Sequence, residues 1–100
     1  MKPVTIHPEA EAELEEASDF YETRRAGLGA EFEAEVQEAI DRVEQMPSRF
    51  PLHGNTGFRK CIVSRFPYTV FFMETATTIW VAAVAHQRRQ PDYWNQRTPD

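Results

Sequence analysis

Cysteine is almost missing from this chain: Cys61 stands alone among 100 residues, so no internal disulfide can form and packing must hold the fold. A lone thiol is compatible with a reducing compartment, and small core filler is its expected role. Glycine is scarce as well, and Gly27, Gly29, Gly54 and Gly57 make neither a P-loop nor a GxGxxG turn. Long apolar runs are absent. The run of note, Ile79 to Ala85, is seven residues long, against about 20 for a membrane span. The N-terminal MKPVTIHPEAE offers no apolar core for a signal peptide, so a cytoplasmic location is expected and no membrane partner. His7, His53 and His86 lie far apart, with no HxxxH pair, no paired cysteines and no GxSxG elbow. Neither a metal nor a cofactor is therefore expected.

What is present suits one globular domain over residues 1–100. At this length folding buries roughly two-thirds of the surface of the extended chain, and 41% apolar with 27% charged residues fits neither a disordered nor a membrane protein. The net charge of −5 conceals an asymmetry. Residues 1–48 carry −9, with thirteen acids, and residues 49–100 carry +4, so the two halves are expected to face different partners.

Periodicity gives the elements. Lys2 to Ile6 reads as a short strand. His7 then caps a helix that opens on Pro8 with Glu9 and Glu11 in its first turn, and Ala10, Leu14, Ala17 and Tyr21 form its apolar face. Arg24, Arg25, Ala26 and Gly27 stop it. A second helix starts near Leu28, carries Phe32, Val36, Ile40 and Val43 at helical spacing, and ends at Met46-Pro47. The breaker-rich PSRFPLHGNTG is a loop. Three strand segments follow, Phe58–Ser64, Tyr68–Glu74 and Thr77–His86, joined by connections short enough for hairpins and therefore by an antiparallel meander. In the last strand both alternating sets, Ile79/Val81/Ala83/Ala85 and Trp80/Ala82/Val84, are apolar, which marks a central strand covered on both faces. The expected fold is α+β, ordered β-α-α-β-β-β, with an antiparallel sheet and a two-helix hairpin packed on one face.

The candidate site is AHQRRQPDYWNQR, residues 85–97, at the end of that strand. Cleavage of RNA through its 2′-hydroxyl needs a base, an acid and cations for the phosphorane. For that chemistry His86 could be base or acid, Arg59, Arg65, Arg88 or Arg89 could hold the phosphate, and Tyr93 could act as a weak acid or stack on a base. The plainer reading is a basic strand end that is solvated or paired with helix acids. Glu9, Glu11, Glu13, Glu15 and Glu16 read as a solvated face, and carboxylates repel phosphate, which leaves the sheet and tail as the functional surface. Along the middle strand Tyr68, Val70 and Phe72 take one face and Thr69, Phe71 and Met73 the other. One set packs under the helices. The other is expected to stay partly open to a partner.

The helix segment AEAELEEASDFYETRRAGLGAEFEAEV, the strand start RFPYTVFFM and the tail AVAHQRRQPDYWNQR together resemble the RelE/ParE superfamily of toxins from type II toxin–antitoxin modules, over roughly residues 3–97. The resemblance implies a growth-inhibiting toxin bound and neutralised by a cognate antitoxin, in a toxin–antitoxin hetero-oligomer. RelE-like members cut messenger RNA on the ribosome; ParE-like members poison DNA gyrase without a recognised catalytic set. Of the RelE pattern, Lys60 and Arg88 match, so the resemblance implies His86, Arg88, Lys60 and Tyr93 as the catalytic set if the chain is a ribonuclease, whereas Ile62 and Thr69 stand where cations belong and Trp94 where a tyrosine does. FPYTVFF and the HxxR tail are closer to the ParE-like side. A binding toxin, aimed at gyrase, is therefore the expectation, with ribosome-dependent mRNA cleavage as the alternative and a non-toxic binding domain after it. The expected contact surface comprises Arg59, Lys60, Arg65, His86, Arg88, Arg89, Tyr93 and Trp94, gathered as exposed cations and aromatics at one end of the sheet.

Overall fold

A computed structural model describes residues 1–99. The elements run β1 (Val4–Ile6), α1 (Pro8–Arg24), α2 (Leu28–Gln45), a 3-10 turn (Pro47–Arg49), β2 (Arg59–Ile62), β3 (Tyr68–Glu74) and β4 (Ile79–His86). This is the α+β class and the β-α-α-β-β-β order that the sequence pattern predicts. β1, β2 and β4 are shorter than predicted. Phe58 is drawn into the preceding loop, where its carbonyl accepts the His53 amide at 2.8 Å, and Thr75 and Thr78 are spent closing the β3–β4 hairpin.

The sheet order is β1-β4-β3-β2. β2, β3 and β4 form the expected antiparallel meander, but β1 joins β4 in parallel, with Val4 opposite Ile79, so the sheet is mixed. A parallel neighbour needs a long crossover, which the helix hairpin and the meander together provide. β4 is thereby central and nearly all buried. Its alternation is broken, however. The register passes from Phe71↔Ala83 to Phe72↔Val81, a bulge that leaves Ala82 extra and turns the following side chains over. Ile79, Val81 and Val84 lie under the helices, while Trp80, Ala82, Ala83 and Ala85 share the second face, which corrects the strict two-residue alternation.

The helices form as their ends dictate. The His7 Nδ1 accepts the Glu9 amide at 3.0 Å, and Pro8 takes the first helical position. α2 starts at Gly27, whose φ of 88° suits glycine and whose lack of a side chain leaves no local cap. Glu22 of α1 supplies one, accepting the Gly27 and Gly29 amides at 2.8 and 3.0 Å. Ala10 and Ala17 of α1 and Phe32, Val36, Ala39 and Val43 of α2 bury against Val70, Phe72 and Val81. Cys61 lies in this core, where burial pushes its thiol pKa up. Among the described residues no helix is long and apolar enough to cross a membrane.

Candidate binding groove and C-terminal strap

Past His86 the chain turns back instead of running free. The His86 Nδ1 accepts the Arg88 amide at 3.0 Å, Asp92 adopts a φ of 63°, and Trp94 is delivered onto the second sheet face. Its indole is 1% exposed. It stacks on Phe71 at 4.3 Å, meets Phe58 edge-on at 4.9 Å and lies 5.7 Å from the His53 ring. The expectation of an exposed Trp94 is corrected: with Ala83 and Ala85 too small to fill that face, the tail supplies the missing volume. His53 also binds the strap, its Nε2 lying 2.8 Å from the Asp92 Oδ1.

The strap converges on one carboxylate. Glu13 of α1, with a side chain 11% exposed, accepts the Tyr93 hydroxyl at 2.5 Å, the Arg97 guanidinium at 3.0 Å and the Arg89 guanidinium at 3.5 Å. It also accepts the Val84 amide of β4 at 3.0 Å, while Arg97 donates to the Ala82 carbonyl at 2.8 Å. β1 stops at Ile6, so this side-chain pair satisfies the edge of β4 that β1 no longer covers. Burial, then the Glu13 carboxylate, hold the Tyr93 phenol far above the usual tyrosine range. Burial works against the charge of Arg97, but Glu13 outweighs it and raises its pKa. Arg89 lies over the Tyr93 ring, 3.6 Å from its centroid.

Strap and sheet together enclose a groove of about 340 Å³. Lys60, Ile62, Thr69 and Phe71 line its sheet side; His86, Arg89, Asp92 and Tyr93 line the strap side, with Trp94 beneath and His53 at one wall. Four of the eight residues expected to form one surface, Lys60, His86, Arg89 and Tyr93, meet here with accessible surface, and Trp94 contributes as buried support. The other three lie elsewhere. Arg59 turns to the helix side, donating to the Phe50 carbonyl at 2.6 Å, because it falls in register with the core residue Phe72. Arg65 leaves the hairpin with a φ of 70° and pairs with Glu31 and Glu35 of α2 at 2.8 and 3.4 Å. Arg65, then Arg25, hold the Glu31 carboxyl below its ordinary range. Arg88 is exposed beside the groove and does not line it.

The profile of the ParE toxin of the type II toxin-antitoxin system, parDE, matches residues 4–91. The chain belongs to the ParE toxin family. No curated protein matches the sequence significantly. Among solved structures the chain is similar to one from the chromosomal ParDE TA system of P. aeruginosa, at a TM-score of 0.75 and 17% identity, over 86% of this chain and 96% of that one. At that identity the likeness is one of fold.

Within this ParE-family chain the charge asymmetry is partly cancelled internally, since Arg65, Arg89 and Arg97 pair with acids of α1 and α2. Among the described residues no cluster of three or more His, Cys, Asp or Glu side chains is arranged to hold a metal ion. Sequence reasoning missed Glu13, His53, Asp92 and Phe71 as builders of the site. Glu13 had a readable signal: it falls three residues after Ala10 and four before Ala17, on the helix stripe that both bury. A carboxylate there must find donors.

Proposed function

We propose that this ParE-family protein is a toxin that inhibits growth by binding an essential cytoplasmic target, DNA gyrase, and that a cognate antitoxin neutralises it in a hetero-oligomer. The family supports the toxin role. The observation that favours binding over cleavage is the position of the Tyr93 hydroxyl, which donates into Glu13 and whose raised pKa keeps its proton in place. Arg88 stands outside the groove, and His86 has one ring nitrogen engaged by a backbone amide. The groove itself has the character of a contact surface. Ile62, 62% exposed, and Phe71 give it an apolar floor, and Lys60 with Arg88 alongside gives it a cationic rim suited to an acidic partner.

A supercoiling assay with purified gyrase tests this reading: inhibition is expected, and unaffected supercoiling at saturating protein would sink it. One observation favours the ribonuclease alternative. His53, backed by Asp92, lines the same groove as His86 and Lys60, so two imidazoles and an ammonium are gathered there, the types of group that metal-free phosphodiester cleavage uses. New 5′ ends mapped by primer extension on a translated message during growth arrest would favour that alternative.

A further inference from the structure

The strap, residues 87–99, is attached in a different way from the rest of the fold. The core between helices and sheet contains no strap residue. Beyond Gln87, whose amide reaches the Pro67 carbonyl, the amides of Arg89, Asn95 and Arg97 bond to carbonyls of His86, Asp92 and Trp94, at or within the turn itself. Side chains hold it instead: Trp94 against Phe71 and Phe58, Asp92 on His53, and three strap donors on Glu13. The same carboxylate grips the Val84 amide, so one residue of α1 ties the strap to the sheet edge. We propose that Glu13 is a latch, a positioning residue that keeps the C-terminal strap closed over the second sheet face, and that loss of its charge releases the strap while helices and meander stay folded.

The electrostatics give the direction. The Arg97 side chain is 10% exposed, and Glu13, 11% exposed, is its close counter-charge; Glu9, at 3.5 Å, is 69% exposed and lies in solvent. Without Glu13 an almost buried guanidinium loses its partner, and hydration becomes available to it when the strap lifts. Tyr93 and Arg89 lose the carboxylate they share with Arg97 in the same step. Opening also removes the groove, because half of its lining residues come from the strap. A single α1 side chain would thus set whether the binding surface exists; that last consequence rests on the groove being the contact surface, whereas the latch does not.

Hydrogen exchange on the full-length protein, free of any partner, tests the latch, with Glu15→Gln as a control on a neighbouring exposed acid. In Glu13→Gln the amides of Arg89, Asn95 and Arg97 are expected to exchange about tenfold faster or more, approaching unprotected rates, with tryptophan emission shifting red and the amides of α2 and β3 still well protected. Glu15→Gln should match the wild type. Arg97→Gln, which removes the latch from the strap side, should reproduce the strap-confined pattern. Strap amides as protected in Glu13→Gln as in the wild type would overturn the proposal. So would protection lost in α2 and β3 to the same degree as in the strap, or global unfolding, either of which would make Glu13 a general support of the fold. None of these readouts involves gyrase or antitoxin, so a failed supercoiling assay leaves them intact.

Discussion

Trp94 stacks on Phe71 at 4.3 Å with the rings 26° from parallel, and 23 residues of sequence separate the two. That contact closes the second face of the sheet with a residue from outside it. Removing the indole takes away its transfer energy and leaves a cavity beside Phe58 and Ala83, a loss of about 3–5 kcal/mol for a buried Trp→Ala. At about 4–8 °C per kcal/mol for a domain of this size, the Trp94→Ala melting temperature should fall by at least about 10 °C. Trp94→Phe should recover much of it. Thermal unfolding followed by circular dichroism checks both, and a drop of a few degrees would mean that the tail does not anchor there.

At Gly29 the backbone of α2 lies tight against α1. A Cβ at this position would lie 2.6 Å from the Ser18 backbone carbonyl and 3.0 Å from the Glu22 carboxylate, so Gly29→Ala must push α1 and α2 apart. The better helix propensity of alanine, about 1 kcal/mol, offsets part of an overpacking cost that typically runs about 1–3 kcal/mol, and the Glu22 cap is weakened as well. A net loss of about 1–2 kcal/mol is expected in urea unfolding. Gly54→Asn is the contrast. With a φ of 56° and open space around it, asparagine fits the left-handed region, and the urea midpoint should stay near that of the wild type.

The elements were legible in the sequence where a single rule decided them. Pro8 opened α1, Gly27 marked the break before α2, the spacing of Phe32, Val36, Ile40 and Val43 gave α2, and Tyr68–Glu74 emerged as a strand with its predicted ends. The rule failed where a feature depended on distant residues. Strict alternation could not show the Ala82 bulge, which exists because the ladder to β3 shifts at Phe71 and Phe72. The site suffered in the same way. Composition marked Arg59, Arg65 and Trp94 as exposed, but their directions were set by the register with Phe72, by the α2 acids and by the empty volume over Ala83 and Ala85. Glu13 was hidden among neighbours of its own kind, distinguished by its angular position alone.

Tyr93 makes the stability sensitive to alkaline pH. Burial and then Glu13 hold its phenol above the ordinary value of 10.0, and burial raises Tyr21 and Tyr68 in the same direction. The unfolded chain releases these protons near the ordinary value and the folded chain later. The stabilisation tied to the protonated phenols is therefore complete below that value and is lost as pH rises beyond it. Tyr93→Phe is less stable at neutral pH, because the hydrogen bond to Glu13 is gone, but it should lose less on going from about pH 8 to about pH 11 than the wild type does. Urea unfolding across that range checks the slope. Equal slopes would mean that the hydroxyl is solvated.

Lys60 and Arg88 form no ion pair among the described residues, whereas Arg65 is engaged by Glu31 and Glu35 on the helix side. If the groove meets an acidic partner, charge should matter there and not at the hairpin. Lys60→Glu and Arg88→Glu are expected to weaken binding to gyrase or to the cognate antitoxin by about five- to tenfold each, equivalent to about 1 kcal/mol, with unfolding shifted by no more than about 0.5 kcal/mol. Arg65→Glu should leave that affinity unchanged while setting three carboxylates against one another near Glu31. Arg89 is unsuited to this comparison, since its guanidinium also lies on Tyr93 and pairs with Glu13. Titration calorimetry of the three variants decides the matter: a loss confined to Arg65→Glu would move the contact to α2 and away from the groove.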